Sequence, residues 1–462
     1  MSAIIWIFIV ILALVLSAVF AKKVLKLDLY LGVLIMWRTK RLIKFLDVLA
    51  KPKKLLNALA DFGIVIGFGA FGLDYLIKDK VKSKYQRLLI FIGVAVILSY
   101  VTYSLTQQML FSSALIPRWF GIIIVIMTGF MGLSGFTVGS LLFSAYDIIA
   151  KLFMGNAGNA CPGVGLVIPG VKMPKVDIFI PWYGWLILIF AAVVHEMCHG
   201  AFLRKMKVHL KSMGFMFAAV LPLGAFVEPD EKAIEKKEKK EILRMYSAGP
   251  TSNTILAIVF FVLLLLFTPV MTNYSHSIGK DKVDSVYVYS VDANTQVCGS
   301  VFDSPAYGVM DVNDIIVSVN DKPILNQGNL VSATKLKIEN KFVLKDPDTN
   351  IERTVYLEPN EMGRLGFTSG TVEDPAFKLP FKYHVYKSIF GLLLWSALLN
   401  FIIATVNYLP TFPFDGGGMS QIIFSDYLNK KNNQNKRMKR VARFFGTIIV
   451  FLLLLNIIPY FF

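Results

Sequence analysis

The sequence predicts a polytopic α-helical membrane protein with a small, mostly β domain inserted between its helices. Hydrophobic residues make up 55% of the 462 residues and the mean hydropathy is +0.59, which is too apolar for a soluble protein of this length. Apolar runs long enough to cross a bilayer recur along the chain, and one long polar stretch interrupts them. The chain is therefore expected to be an integral membrane protein.

Seven apolar runs are long enough to be spans, and an eighth, residues 62–77, is a weaker candidate. The seven are residues 3–20, 88–106, 119–145, 182–203, 252–272, 388–407 and 444–462. The first run is followed by Lys22 and Lys23 rather than by a cleavage site of small residues, so it is predicted to be a retained anchor.

The charge distribution follows the positive-inside pattern of membrane proteins. The net charge is +17, yet residues 274–374 hold 9 Lys and Arg against 15 Asp and Glu, whereas the rest of the chain holds 39 against 16. The basic segments beside apolar runs are 22–54, 204–211, 232–244 and 429–443. These segments are predicted to be cytosolic, and the acidic stretch is predicted to lie on the opposite side. The tract Lys430–Arg443 suits anionic lipid, and no nucleic acid is expected as a partner.

The topology of residues 1–120 does not follow from this rule. If residues 62–77 span the membrane, the basic segment Lys78–Arg87 lies outside the cytosol. If they do not span it, the number of crossings no longer places the later basic loops in the cytosol, unless another segment is re-entrant. The sequence leaves both alternatives open.

Two further stretches are predicted to be non-helical. Residues 151–181 are rich in Gly and Pro and end in a strand-like run at Val176–Ile180, which predicts an external hairpin or loop. Residues 212–229 are apolar, but Gly and Pro interrupt them too often for a spanning helix. Irregular backbone at membrane depth needs protein or a water-filled cavity to satisfy its polar groups, so a re-entrant segment that lines a cavity is predicted.

A metal-binding motif interrupts the apolar run 182–203. His195 and His199 are four residues apart, so on a helix they share one face and can bind one metal ion, with Glu196 positioned as a base. Zn²⁺ bound by two imidazoles and a carboxylate lowers the pKa of a bound water toward about 7 and polarises a carbonyl. The alternative is a chance match on a surface helix, but ionisable residues at membrane depth indicate a functional site.

A catalytic zinc site usually has three protein ligands, so a third is expected. Asp415 is the best candidate, because the prolines and glycines around it break the helix and allow its carboxylate to turn inward. A polar turn that leaves the membrane is the alternative for this residue. Glu228, 29 residues after His199, is the rival ligand.

Three motifs together resemble the site-2 protease family of intramembrane zinc metalloproteases over residues 180–425. They are His195-Glu196-Met197-Cys198-His199, Ser247-Ala248-Gly249-Pro250-Thr251-Ser252-Asn253, and the segment from Asn407 through Asp415-Gly416. The resemblance implies one Zn²⁺ bound by His195, His199 and Asp415, with Glu196 as the catalytic base, in a water-accessible cavity toward the cytosol. It also implies that Asn407 binds the substrate backbone or the oxyanion, although helix termination before Pro410 is an equal alternative.

Two other parts of the same region have weaker assignments. Gly249 and Asn253 begin the apolar run 252–272, where small residues allow close helix approach, so core packing is predicted for both. The segment from Pro222 to Val227 resembles the family's Pro-x-Gly-Gly-aromatic-Val segment, with Ala225 in place of the second glycine. In the family this segment presents a strand edge to an unwound substrate.

The polar stretch 274–374 contains short β-rich runs separated by turn residues, which predicts a mostly β domain. It resembles a bacterial-type PDZ domain in the motifs Ser304-Pro305-Ala306, Gly308-Val309-Met310, Asn313-Asp314-Ile315-Ile316 and Val319-Asn320, and it ends near Leu365-Gly366-Phe367. Asn313 stands where glycine is commoner. PDZ domains bind peptide ends by strand addition, so such ends are implied partners; a non-binding PDZ fold is the alternative.

The chain is accordingly divided into five predicted segments. They are N-terminal transmembrane helices at 1–150, the first part of a membrane-embedded catalytic core at 151–273, a PDZ-like domain outside the cytosol at 274–374, the second part of the core at 375–425, and a basic loop with a C-terminal transmembrane helix at 426–462.

The predicted function is regulated intramembrane proteolysis. A zinc metalloendopeptidase of the cell membrane would cleave a peptide bond within or near the transmembrane segment of substrate proteins, in contact with the lipid bilayer. Two alternatives remain: a catalytically silent membrane receptor or scaffold that bears a PDZ-like domain, and a zinc transporter. The intact base Glu196 argues against the silent receptor, because a structural zinc site does not need that carboxylate.

Overall fold

The fold is given by a computed structural model. It describes residues 15–24, 26–30, 34–41, 43–111, 117–154, 160, 162–165, 168–171, 178–218, 221–279, 283–297, 300–335, 338–360, 363–373, 380–428 and 433–461. The helices are α1 over residues 15–23, α2 (Ile43–Leu49), α3 (Lys53–Ile77), α4 (Lys84–Phe111), α5 (Arg118–Phe153), α6 (Gly184–Lys205), α7 (Glu231–Glu235), α8 (Lys239–Gly279), α9 (Gln327–Ala333), α10 (Phe381–Asn407), α11 (Asp415–Ser425) and α12 (Gln434–Ile457).

Among the described residues, seven helices are long and apolar enough to cross a membrane, namely α3, α4, α5, α6, α8, α10 and α12. The chain is therefore a multi-pass integral membrane protein, as its composition predicts. Six of these helices contain predicted spans, and α3 contains the weaker candidate, residues 62–77. The first predicted span, residues 3–20, lies mostly outside the described residues.

Helix α3 reverses direction at Gly69, whose φ of +53° suits glycine. Before the reversal, Asp61 pairs with Arg244 of α8 at 2.7 Å; after it, the carbonyl of Leu76 accepts a hydrogen bond of 3.4 Å from Lys240 of the same helix. A Cβ atom on Gly72 would lie against the carbonyl oxygen of Ile64, although a straight helix would separate these two residues by about 12 Å. The two arms of α3 therefore run antiparallel.

Helix α5 reverses in the same way at Gly132, which has a φ of +57°. The ring centroids of Trp119 and Tyr146 lie 5.6 Å apart, although a straight helix would separate these residues by about 40 Å. A Cβ atom on Gly69 would lie against the backbone of Gly132, and a Cβ atom on Gly132 against that of Gly69. The tips of the two helical hairpins are thus in backbone contact.

The hairpins offer a solution to the topology conflict in the first 120 residues. A helix that reverses begins and ends on one side of the membrane, so α3 keeps the segment Lys78–Arg87 on its starting side. Lys78 forms an ion pair with Asp426, which shortly precedes the basic segment 429–443. Because α5 also returns to its starting side, α4 and α6 cross in opposite directions. If both hairpins are re-entrant, the positive-inside rule is obeyed.

Residues 212–218 and 221–229 form strands, so the prediction of irregular backbone is wrong. The strands β1 (Asp28–Tyr30), β2 (Leu34–Thr39), β3 (Leu210–Ala218) and β4 (Leu221–Pro229) form an antiparallel sheet in that order. Pairing in a sheet satisfies the backbone polar groups, and β4, which contains two prolines, lies at the sheet edge, where proline is tolerated.

Part of the predicted external loop at 151–181 is described. The N–H of Gly170 donates a hydrogen bond of 2.7 Å to the carbonyl of Ile180, which brings the ends of this part together. Residues 178–180 are not a strand, contrary to the strand-like pattern at Val176–Ile180, and residues 176 and 177 lie outside the described part.

The polar insert is mostly β, as predicted. Its strands are β5 (Val283–Val291), β6 (Asn294–Val297), β7 (Ser300–Asp303), β8 (Ile315–Val319), β9 (Lys322–Pro323), β10 (Asn340–Lys345), β11 (Glu352–Leu357) and β12 (Phe367–Glu373). The main sheet has the order β11-β10-β8-β5-β12, and β9 pairs with β8. Val286, Ile316 and Phe342 lie in its buried core. The likeness to a PDZ domain stays a prediction.

Candidate metal centre

Helix α6 presents His195 and His199 on one face, and Asp415 is the first residue of α11. Asp415 Oδ2 lies 3.0 Å from His195 Nε2 and 3.1 Å from His199 Nε2, and the two Nε2 atoms are 3.1 Å apart. Ligand atoms about 2.0 Å from a tetrahedral zinc ion would be about 3.3 Å apart. The spacing of these three residues therefore fits a single zinc ion.

The hydrogen bonds behind the two imidazoles fix which nitrogen faces inward. His195 Nδ1 donates to Asn253 Oδ1 at 2.6 Å, and His199 Nδ1 donates to the carbonyl of Met245 at 2.7 Å. A proton on Nδ1 leaves the Nε2 lone pair free to bind a metal. Two such lone pairs and the Asp415 carboxylate face one another, an arrangement that a cation between them would stabilise.

Asp415 reaches the histidines because the chain turns sharply after α10. Tyr408 is fully buried, and its hydroxyl lies 3.2 Å from Thr251 Oγ1 of α8, which fixes the end of α10. A Cβ on Gly416 would collide with the backbone of Tyr408, and one on Gly417 with the backbone of Thr411. The glycines after Asp415 thus permit the close turn that directs its carboxylate inward.

Glu196 lies beside this group, and one of its carboxylate oxygens accepts a hydrogen bond of 3.1 Å from the backbone N–H of Val227 in β4. The carboxylate lines a cavity of about 490 Å³ together with the three metal-facing side chains. Asn407 also lines this cavity, and its amide donates to the carbonyl of Ile403 at 2.9 Å. The edge strand β4, the Glu196 carboxylate and the converging side chains of the two histidines and Asp415 therefore line one cavity.

Glu228, the rival third ligand, is not part of the group. Its carboxylate accepts hydrogen bonds from Ser212 of the neighbouring strand β3 at 2.7 Å and from Arg38 of β2 at 2.8 Å. In the described part of the chain, the group of side chains close enough to hold a metal is His195, His199 and Asp415. Asp415 is the preferred third ligand from the sequence, and Glu228 is not in this group because its carboxylate is hydrogen-bonded to Ser212 and Arg38.

Gly249 and Asn253 have contacts beyond the helix packing predicted for them. A Cβ on Gly249 would lie against the Nε2 atoms of both histidines, so only glycine leaves room for the metal-facing atoms. Asn253 is fully buried and accepts the hydrogen bond from His195. An amide at the start of the apolar run 252–272 was the signal in the sequence that could have revealed this second contact.

The fold and this site define a polytopic membrane protein with a His-Glu-x-x-His group completed by an aspartate. The model of peptidase family M50, the site-2 protease family, matches residues 183–454, which is more than half of the chain. The chain belongs to peptidase family M50.

A relative in Methanocaldococcus jannaschii, described as an uncharacterised protein, is 28% identical over 250 residues. The matched region covers 53% of this chain and 58% of the relative. The chain therefore spans less than two thirds of the length of this relative.

Proposed function

We propose that this protein is a zinc metalloendopeptidase that hydrolyses a peptide bond within or near the transmembrane segment of membrane-protein substrates. The observation that carries the proposal is the convergence of His195, His199 and Asp415 within about 3 Å of one another, beside the carboxylate of Glu196. Membership in a family of peptidases supports the reaction type, and the seven apolar helices support a substrate within the bilayer.

The proposed roles follow from the position of each group. His195, His199 and Asp415 would hold the zinc ion, which when bound supplies a Lewis acid for the scissile carbonyl and for a water molecule. Glu196 accepts a proton from the attacking water and delivers it to the leaving amine as the C–N bond breaks. The N–H of Val227 donates to the Glu196 carboxylate, and the amide of Asn407, which lines the same cavity, would donate to the developing oxyanion.

A substrate helix must unwind before its backbone can reach these groups. Strand β4 is the last strand of its sheet, and its residue Val227 contacts the base Glu196. An extended substrate segment that added to the β4 edge would lie along the cavity. The segment from Pro222 to Val227 would then position the scissile bond through main-chain hydrogen bonds.

We also propose the five-segment organisation, with the insert on the side of the membrane opposite the basic loops and the protein in the cell membrane. In the insert, β12 is an edge strand, and Gln327 of α9 donates a hydrogen bond of 3.1 Å to the carbonyl of Ser369 in β12. A peptide end that added to β12 would have to displace Gln327. Deletion of residues 274–374 should alter the choice between full-length and pre-trimmed substrates; unchanged selectivity would exclude a filtering role.

The decisive experiment compares wild type with Glu196→Gln in liposomes that contain a panel of single-pass substrates. Wild type should bind about one zinc ion per chain and cleave a substrate, whereas Glu196→Gln should bind zinc equally and cleave about 10²–10⁴-fold more slowly. Zinc flux into the liposomes that survives Glu196→Gln would instead identify a transporter. The absence of zinc from wild type would favour the receptor or scaffold.

A further inference from the structure

Two buried amides connect helix α10 to the candidate metal ligand His195. Asn253 Nδ2 donates to the carbonyl of Ala191 at 3.2 Å and to Asn400 Oδ1 at 3.0 Å, while its Oδ1 accepts from His195 Nδ1 at 2.6 Å. Asn400 Nδ2 in turn donates to the carbonyl of Ser396 at 2.9 Å. Both asparagines are fully buried, so water does not compete for these hydrogen bonds.

The direction of each amide is determined by its neighbours. A backbone carbonyl accepts but cannot donate, so Ser396 fixes the Nδ2 group of Asn400 and thereby directs its Oδ1 toward Asn253. With acceptors at Asn400 and Ala191, the Nδ2 group of Asn253 faces away from His195, and its Oδ1 faces the ring. A rotated Asn253 amide would instead present a donor to His195 Nδ1.

This direction matters for metal binding because the two tautomers of histidine differ in which nitrogen has a lone pair. An acceptor at Nδ1 favours the tautomer with a proton on Nδ1 and a lone pair on Nε2, the nitrogen that faces Asp415. A donor at Nδ1 would favour the tautomer with the proton on Nε2, which cannot bind a metal until that proton is lost.

We propose that Asn400 is a positioning residue of the metal site, which acts through Asn253 to hold His195 in the metal-binding tautomer. The inference rests on the zinc site proposed above. Helix α10 would then support the metal site in two ways, because it carries Asn400 and also ends at Asn407, just before the turn that leads to Asp415. Partners of metal-binding histidines typically change metal affinity by about 10–100-fold, and Asn400 supplies one of two acceptors for Asn253.

The test measures the zinc dissociation constant of the full-length protein in detergent. Asn400→Leu, which preserves volume but removes the acceptor, should weaken zinc binding about tenfold. Asn400→Asp should remain within about threefold of wild type, because a carboxyl oxygen at this position still accepts the hydrogen bond from Asn253 Nδ2. Asn456→Leu is the matched control: Asn456 is also a fully buried asparagine, but it donates to the carbonyls of Leu141 and Leu452 in another part of the fold.

A second measurement does not need zinc. In metal-free protein labelled with ¹⁵N-histidine, the His195 signals should move toward the tautomer protonated at Nε2 in Asn400→Leu and should remain unchanged in Asn456→Leu. Asn400→Ser, a smaller change, covers the case in which Asn400→Leu does not fold and should show the same direction of shift.

The proposal is overturned if Asn400→Leu binds zinc as tightly as wild type, if Asn456→Leu weakens binding equally, or if the tautomer of His195 does not change. Wild type that binds no zinc would refute the proposed zinc site, whereas the tautomer measurement would still decide the role of Asn400.

Discussion

In the described part of the chain, a cluster of buried polar side chains in the insert can be compared with the cluster around His195, because their hydrogen bonds differ in one respect. In the insert, Asn340 is fully buried; its Oδ1 accepts from Asn320 and from the N–H of Lys335, and its Nδ2 donates to the carbonyls of Lys335 and Ile338. Every polar atom of that side chain has a partner of complementary type. This cluster is complete without any ligand.

Among the membrane helices, the two histidines have complementary hydrogen-bond partners at one ring nitrogen but not at the other. His195 and His199 have acceptors behind their Nδ1 atoms, but their Nε2 atoms and the carboxylate of Asp415 converge on one another. Buried polar groups without complementary partners are unfavourable, so a cation held between these groups would stabilise the arrangement. Both clusters are buried, so the complementarity of the hydrogen-bond partners, and not burial, distinguishes a candidate ligand site from a purely structural cluster.

The largest expected effect is that of Asp415→Ala, which removes one of the converging groups. Zinc content should fall from about one ion per chain to none in protein purified without added zinc, because two imidazoles alone do not complete the site. Glu228→Ala is the control and should retain zinc, since Glu228 contacts Ser212 and Arg38. Full zinc content in Asp415→Ala would show that the two clusters do not differ in the way described.

Gly249→Ala should have the next largest effect. The added methyl group would collide with the imidazoles at their metal-facing edge, so zinc affinity should fall by more than about tenfold while the fold persists. Gly93→Ala in α4 is a matched control, because nothing lies within 4 Å of a Cβ at that helical glycine. Titration of both variants with zinc tests the prediction, and equal affinities would contradict it.

Asn340→Leu should have the smallest effect on the site and a local effect on the insert. The substitution removes the four hydrogen bonds of a fully buried amide, those with Asn320, the N–H and carbonyl of Lys335 and the carbonyl of Ile338, which should lower the free energy of unfolding of the insert by about 2 kcal/mol. Amide hydrogen exchange in β8 and β10 of the full-length protein measures this change. Zinc affinity should equal that of wild type; a decrease would mean that the two clusters are coupled.

Helix α6 illustrates what the sequence can predict. The spacing of His195 and His199 places them on one face of any α-helix, and their position within an apolar run indicates a function. The Pro- and Gly-rich surroundings of Asp415 indicated a turn, and α11 does begin at that residue. These features are local, so helix geometry and hydropathy are sufficient to derive them.

The helical hairpins and the sheet illustrate what the sequence could not predict. An apolar segment with glycine looks the same whether it continues straight or reverses, and α3 and α5 reverse at Gly69 and Gly132, whose backbones contact each other. Residues 212–229 are apolar on both strand faces, so the alternation that identifies a half-buried strand is missing.

The sequence by itself determined the membrane class, the mostly β insert and the helical spacing of the two histidines, because hydropathy and periodicity act over a few neighbouring residues. Only the tertiary structure decided that Asn253 and Asn400 lie behind His195, that Gly249 faces the imidazoles, and that Glu228 turns away. These contacts join helices and strands that are distant in the chain. They depend on how whole elements pack, which no local pattern specifies.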